Sequence, residues 1–328
     1  MDFDLTDVQR AWRDKAADLG RDVAGDPAAA AVVAGAARTG LLDPAADLLA
    51  VVVATGALAA ESPAAGVIYA LHSGAALAHL RQGYGGQGSA IFDSLFRGEA
   101  VAAVGLTSDD APVEEGGRLS GRAPWVAPIT ARGMAVVGPR DAPERLAYAV
   151  SLDDPAVRVE AVHTAGLEGV ICGHLTLTGA AGQPMGPTQP IMTRIRILMA
   201  AAGLGIGQRA LREALATART AHTAAAGEQT VQGLLADAAT DLDAAMVMTW
   251  KAATAARLSL ADASLAKIMA TAAAQRAVEH ATQVVGVDSF QQGHILERLA
   301  QDVRALELFA GRTEALRAAV AEEILPRT

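Results

Sequence analysis

The chain has 328 residues, of which 52% are hydrophobic and only 3% aromatic, and its formal net charge is −9. Its length exceeds what one simple core accommodates and predicts two or three packed domains. The acidic balance, with Lys and Arg scattered along the chain, excludes nucleic acid as an expected partner.

The sequence also gives no reason to expect a membrane protein, a secreted protein or a metal-binding protein. The longest apolar stretch, residues 48–60, is shorter than the roughly 20 residues that cross a bilayer, so no membrane association is expected. The acidic start does not have the pattern of a signal peptide. The single Cys172 excludes an internal disulfide and favours a cytoplasmic protein. No His, Cys and carboxylate spacing fits a metal site, so none is expected.

Residues 1–98 predict an N-terminal helical domain. Thr6 is placed to cap the first helix, in which Val8, Trp12 and Ala16 share one face at four-residue steps. Alanine-rich segments follow and are apolar nearly all round, which indicates buried helices at about 45–60 and 66–81. The glycine-rich segment after them, 81–89, lacks the spacing of a phosphate loop and is predicted to be a plain connection.

From residue 99 to residue 182 the sequence pattern changes from helical to β-rich. Residues 99–182 contain short β-rich segments separated by Gly, Pro or Asp, which predicts a small antiparallel domain built as a barrel or sandwich. Residues 183–328 return to helical periodicity, with predicted helices at about 191–220, 229–257 and 262–284 and a fourth beginning near Ile295. This predicts a C-terminal four-helix bundle and an α+β, mainly α, fold of three parts.

The order of the parts and several local motifs resemble the acyl-CoA dehydrogenase family along almost the whole chain. The matching segments are the opening MDFDLTDVQRAWRD, VGLTS (104–108), GRAPWVAP (121–128), QTVQGLLADAATDL (229–242), ASLAKIMATAAA (263–274), QVVGVDSFQQGHILERLAQDVR (283–304) and ELFAGRTEALR (307–317). The resemblance implies an FAD-dependent enzyme that desaturates an acyl-CoA thioester between its α and β carbons.

The resemblance also locates the catalytic base, and this chain lacks it. In the family a glutamate at a kink between two C-terminal helices removes the α-proton of the thioester; here that position is Ala310. Another branch of the family places the base on an earlier bundle helix, where this chain has Ile195. Neither side chain accepts a proton, so no catalytic residue is predicted. Glu307 and Glu314 lie close to Ala310 in sequence, and the alternative hypothesis is that one of them serves as a displaced base.

Four residues are predicted to contact FAD. Thr107 corresponds to a residue that hydrogen-bonds the flavin ring, and Trp125 to an aromatic residue that lies against it. Gln283 and Gly286 correspond to the segment that meets the adenine, ribose and pyrophosphate of a neighbouring subunit's FAD. The alternatives are structural: Thr107 as a strand hydroxyl, Trp125 as core of the β domain, Gln283 as a helix end and Gly286 as a helix cap.

Other positions depart from the family pattern. Val287 replaces a second glycine, Ala127 replaces a threonine, and the segment 220–228 lacks the arginine and phenylalanine that contact a partner's FAD. We therefore expect FAD to be bound weakly or shared with a partner subunit.

Three hypotheses about function remain open. The first is a subunit of a heterodimeric or heterotetrameric acyl-CoA dehydrogenase, inactive alone and completed by a second, catalytic chain of the family. The second is a flavin-free scaffold or acyl-thioester-binding protein on the same fold. The third is a flavin enzyme whose chemistry needs no α-proton base.

Overall fold

The structure is a computed structural model. It describes residues 4–25, 27–82, 90–107, 111–131, 133–139, 145–220 and 228–325. The predicted glycine-rich connection, apart from residues 81 and 82, and nearly all of the divergent 220–228 segment lie outside the described residues.

Ten α-helices flank a β domain in the described parts of the chain. Five precede it: α1 (Asp7–Asp22), α2 (Ala29–Thr39), α3 (Leu48–Glu61), α4 (Pro63–Gln82) and α5 (Ala90–Phe96). Five follow it: α6 (Thr188–Thr220), α7 (Gln229–Thr254), α8 (Leu260–Val285), α9 (Ile295–Leu308) and α10 (Thr313–Ile324). A short 3-10 helix, Gly286–Phe290, joins α8 to the segment before α9.

Local sequence explains where several helices begin. The Thr6 hydroxyl accepts a hydrogen bond from the Gln9 amide, and the Gln9 side chain accepts one from the Thr6 amide, which forms a capping box. The helix therefore starts where the sequence predicts, but its buried face is rotated. Gln9, Trp12 and Ala16 are buried, whereas Val8 is exposed, so placing Val8 on the buried face was wrong.

The β domain consists of two four-stranded sheets. Its strands are β1 (Val101–Thr107), β2 (Val113–Glu115), β3 (Arg118–Val126), β4 (Gly133–Pro139), β5 (Leu146–Ser151), β6 (Val157–Val162), β7 (Cys172–Ala181) and β8 (Gln183–Pro187). One sheet has the order β1-β4-β5-β8 and the other β2-β3-β7-β6. A small apolar core, including Leu119, Leu175 and Val137, packs between them.

The β domain is not purely antiparallel, which corrects that part of the prediction. Strand β1 pairs with β4 in parallel, from Val101 opposite Gly133 to Thr107 opposite Pro139. The parallel pairing follows from the connectivity, because the chain leaves the first sheet after β1, forms β2 and β3 of the second, and returns as β4. The remaining paired strands run antiparallel.

Helix α6 is the central element of the C-terminal bundle. It packs most extensively on α8 and also contacts α3, α4, α7 and α9. Within the described residues, Thr188–Arg219 is the one helix long and apolar enough to span a membrane, but 89% of its most apolar window is buried inside the protein. Its apolar surface is therefore covered by neighbouring helices.

Candidate functional site

The segment between α9 and α10 forms a sharp kink. Helix α9 ends at Leu308, and the Phe309 amide donates to the Leu306 carbonyl. Ala310 and Gly311 then adopt φ values of 58° and 114°. Glycine suits the second value, and a Cβ at Gly311 would also lie 3.2 Å from Leu316 Cδ2. Alanine at the first value is uncommon, so surrounding contacts must hold the backbone there.

Two buried cations supply those contacts. The Arg196 side chain on α6 donates from Nε to the Ala310 carbonyl at 3.1 Å and from Nη1 to Ser264 Oγ at 3.1 Å. Lys267 on α8 donates from Nζ to the Glu307 carbonyl at 3.0 Å and to the Gly311 carbonyl at 2.9 Å. Arg196 is 3% exposed and Lys267 1%. Charged donors make strong hydrogen bonds when desolvated, so the kink is fixed by two other helices.

Ala310 and Ile195 both lie in largely apolar surroundings. Ala310 is half-buried and packs against the main hydrophobic core. Ile195 is fully buried on α6 at a close approach to α4, where a Cβ on Gly74 would lie 2.8 Å from Ile195 Cγ1.

Of the two alternative bases, Glu307 is engaged in hydrogen bonds and Glu314 is exposed to solvent. Glu307 Oε2 accepts from Gln275 Nε2 at 2.9 Å, and Glu307 Oε1 accepts from Thr313 Oγ1 at 3.1 Å. This carboxylate therefore links α8 to the start of α10. Glu314 is exposed on α10. Neither observation favours a displaced base.

Helix α9, which leads into the kink, is also tied to the β domain. The Asp302 carboxylate accepts a hydrogen bond from the Leu167 amide at 2.5 Å, across 135 residues of sequence. Leu167 has φ 51°, and the neighbouring Gly166 lies against the Gln301 carbonyl so closely that a Cβ would be 2.4 Å away. The pKa of Asp302 is raised to about 6, because burial raises it by more than the hydrogen bond from the Leu167 amide lowers it.

Trp125 is a surface residue, so the alternative of a β-domain core role was wrong. Its side chain is 58% exposed and its φ is 56°. The Trp125 amide donates to His174 Nδ1 at 3.2 Å, and the two rings meet edge to face with centroids 5.2 Å apart. An exposed indole held at a rarely populated backbone conformation is a feature that binding sites commonly show.

Sequence reasoning missed His174. It lies on β7 opposite Glu160 of β6 and reaches Trp125 across an irregularity in the β3–β7 pairing between Ala123 and Val126. No sequence motif marks such a contact, because the register shift that creates it is a tertiary feature. Since Nδ1 accepts a hydrogen bond, the neutral imidazole carries its proton on Nε2.

The other predicted FAD contacts fall in two places. Thr107 ends β1, and an antiparallel bridge between Val104 and Ala127 brings this end of β1 beside Trp125; the Thr107 side chain lies outside the described part. Gln283 and Gly286 lie at the end of α8, next to the 3-10 helix. Gln283 is exposed, and Gly286 has φ 73°.

The 3-10 helix presents apolar side chains to solvent. Val287 is 82% exposed and Phe290 80%. A Cβ placed on Gly286 would meet no other described atom within 4 Å. This segment is therefore open on its outer side within the part of the chain that the structure describes.

Comparisons with known proteins bear on the same features. Residues 188–325, from α6 to the end of α10, match the family description "Acyl-CoA dehydrogenase, C-terminal domain". The probable acyl-CoA dehydrogenase YngJ of Bacillus subtilis is 32% identical over 136 residues, or 40% of this chain and 36% of YngJ. The mitochondrial short-chain specific acyl-CoA dehydrogenase of Bos taurus is 34% identical over 136 residues, 40% of this chain and 33% of that protein. The matches thus span about a third of these curated relatives.

Solved structures extend the likeness to the whole fold. The glutaryl-CoA dehydrogenase of Mycobacterium smegmatis in complex with FADH2 superposes with a TM-score of 0.87 at 14% identity, covering 98% of this chain and 96% of that one. The butyryl-CoA dehydrogenase of Megasphaera elsdenii gives 0.81 at 18% identity, covering 99% and 100%. The chain and these solved structures share one fold, in which an N-terminal helical part, a β domain and a C-terminal helical bundle follow one another. Residues 188–325 thus match the acyl-CoA dehydrogenase family, and the chain as a whole has the fold of the solved acyl-CoA dehydrogenases.

Proposed function

We propose that the chain is a subunit of an FAD-dependent acyl-CoA dehydrogenase, and that it works with a second, catalytic chain of the family. The observation that carries this proposal is Ala310. It stands at the family's kink, with the kink backbone held in place by Arg196 and Lys267, but its methyl group cannot remove a proton. A thioester α-proton is weakly acidic, so its removal requires an accurately placed base. A partner's glutamate would supply that group in a heterodimer or heterotetramer.

The residues present fit part of an FAD site. The exposed, conformationally fixed indole of Trp125 offers a flat apolar face for the flavin ring, beside the end of β1 where Thr107 lies. Gln283 and Gly286 leave an accessible edge at the end of α8 for the nucleotide part of a neighbouring subunit's FAD. The exposed Val287 side chain would give a pyrophosphate no polar contact, which favours weak or shared binding.

The roles of this chain's own residues are binding and positioning. Trp125 would bind the flavin ring, and His174 would hold the Trp125 amide and ring in place. Arg196 and Lys267 fix the backbone of the kink, where the family's catalytic glutamate would stand. FAD, when bound, supplies the hydride acceptor of the desaturation.

Co-expression tests the proposal. Produced alone, the chain should be poor in flavin and inactive toward a panel of acyl-CoA thioesters in a dye-reduction assay. Produced with a second chain of the family from the same genome that carries the catalytic glutamate, it should co-purify with that protein, FAD and activity. The matched control replaces the partner's catalytic glutamate by glutamine, which should abolish activity without preventing assembly. Ordinary acyl-CoA oxidation by the isolated chain would refute the proposal.

The exposed Val287 also favours a second candidate, a flavin-free scaffold or acyl-thioester-binding protein. The visible absorption spectrum separates the two. A flavin band in the purified complex that is lost with Trp125→Ala would exclude the flavin-free candidate. A complex that never holds flavin, yet binds an acyl-CoA thioester, would support it. Flavin without dehydrogenation in any complex would instead indicate a different flavin chemistry.

A further inference from the structure

A cavity of about 730 Å³ lies away from the kink. It is bounded by α1, the start of α3, the first turns of α6 and the loop between α7 and α8. Its lining includes neither Ala310 nor Arg196, and neither Trp125 nor Lys267. Its volume falls in the range of small-molecule sites, which is about 300–1,000 Å³.

The charge of this cavity differs from that of the chain as a whole. Arg194 from α6 and Arg257 from the α7–α8 loop both line it. Asp47 is the single acidic residue among the described lining residues, and its carboxylate caps α3 by accepting from the Ala50 amide at 2.6 Å. The first turn of α6 adds its positive dipole end. A cationic cavity in a chain of net charge −9 favours an anionic ligand.

About half of the lining residues are apolar. They include Leu48 and Leu49 at the start of α3 and Ala253 and Leu258 near the α7–α8 loop. An inorganic anion would leave this surface without a partner, whereas a ligand with an apolar body would cover it. The two features together describe an amphipathic anion.

We infer that this cavity binds a small carboxylic acid with an apolar body, its carboxylate held by Arg257 and attracted by the charge of Arg194, whose Nη1 donates to the Pro190 carbonyl at 3.2 Å. A guanidinium fork matches a carboxylate in two-point geometry, and no hydrogen bond or ion pair joins Arg257 to another described residue. The inference stands independently of the proposed dehydrogenase function, because the site shares no residue with the kink or with the predicted FAD contacts.

Isothermal titration calorimetry of the purified 328-residue chain with octanoate tests the inference. Octanoate should bind saturably, while octanol and octylammonium, which share its apolar body, should not. Arg257→Gln should weaken binding about tenfold or more, the loss expected for a charge-assisted contact of roughly 1.4 kcal/mol. Arg257→Lys keeps the charge but not the fork and should fall between the two.

Two controls keep the test decisive. Arg158→Gln removes an exposed arginine from β6, away from the cavity, and should leave octanoate affinity unchanged. Far-UV circular dichroism establishes that each variant is folded; Arg257 is exposed, so its replacement should be tolerated. Absence of octanoate binding, equal binding of octanol, or unchanged affinity in Arg257→Gln would each overturn the inference.

Discussion

The kink at residues 309–311 differs in its surroundings from two exposed features, Trp125 on the β domain and the 3-10 helix after α8. The kink carbonyls accept hydrogen bonds from buried side chains of α6 and α8, whereas Trp125, Val287 and Phe290 project into solvent. The kink geometry therefore does not depend on the side chain at position 310, and it persists without a glutamate. The exposed side chains leave apolar surface uncovered in the described part of the chain, and a cofactor or a partner would cover such surface.

The largest effect should come from breaking the kink support. Lys267→Met removes both hydrogen bonds to the Glu307 and Gly311 carbonyls and leaves these acceptors buried. An unsatisfied buried acceptor costs about 1–3 kcal/mol, so a loss of roughly 3 kcal/mol in the free energy of unfolding is expected. Urea denaturation followed by circular dichroism measures it.

Lys251→Met is the matched control for that substitution. Lys251 is a half-exposed lysine that forms a surface ion pair with Asp262 at 3.0 Å. Exposed pairs contribute about 0–1 kcal/mol, so its replacement should have a small effect. Equal losses in the two variants would contradict the structural role assigned to Lys267.

Ala310→Glu should have the next largest effect. Position 310 is half-buried with φ 58°, so the variant places a carboxylate in a partly apolar site at a backbone conformation that glutamate rarely adopts. We expect the isolated chain to lose about 2 kcal/mol of stability and to show no dye reduction with acyl-CoA thioesters. Under the proposed function the co-expressed complex should change little in activity, because its active flavin would face the partner's glutamate.

Strong activation of the isolated chain by Ala310→Glu would contradict this expectation. One well-placed base contributes about 10²- to 10⁴-fold in rate. Such a gain would mean that the isolated chain holds a complete flavin site which lacks only its base. Ala310→Gln is the control, since glutamine has the same shape but does not accept a proton at neutral pH.

Asp302 connects helix α9 to the β domain, and its replacement should have a smaller, pH-dependent effect on stability. Asp302→Ala removes the acceptor for the Leu167 amide and should cost about 1–2 kcal/mol. Asp302→Asn keeps an acceptor oxygen without a buried charge, and at pH 7 it should be as stable as the parent chain or more stable. Thermal unfolding of the three proteins measures the difference.

The pH dependence of Asp302 has a definite sign. Its pKa is raised to about 6 in the folded chain, so between about pH 4 and pH 6 the folded state binds more protons than the unfolded state. The stability contributed by this group is present below pH 4 and is lost as the pH rises through 6. Arg298 and Glu168 also face it, with opposite effects on its pKa. Asp302→Asn should gain stability relative to the parent chain over this interval; a constant difference would contradict the assignment.

How much the sequence predicts also differs between these regions. The long helices of the bundle were predicted to within a few residues, and the family resemblance was confirmed, because apolar periodicity and motif order are local signals. The parallel β1–β4 pair, the exposure of Val8 and the Trp125–His174 contact were not predicted. Each depends on tertiary structure: strand connectivity, the packing that places the Gln9 side chain against Asp47 at the start of α3, and a shift in strand register.

The smallest expected effect on stability comes from the 3-10 helix. Phe290 is 80% exposed, so Phe290→Ser should change the free energy of unfolding of the isolated chain by no more than about 0.5 kcal/mol.

If the 3-10 helix meets a partner chain, the same substitution should weaken the co-expressed complex, because apolar side chains buried at an interface carry much of its affinity. Size-exclusion chromatography over a dilution series measures this, with Val113→Ser, an exposed valine on β2, as the control. A Phe290→Ser complex that resists dilution as well as the Val113→Ser complex would place the partner on another surface. A destabilised isolated chain would instead show that Phe290 supports the fold, and the contrast between the kink and the exposed surface would then fail at this residue.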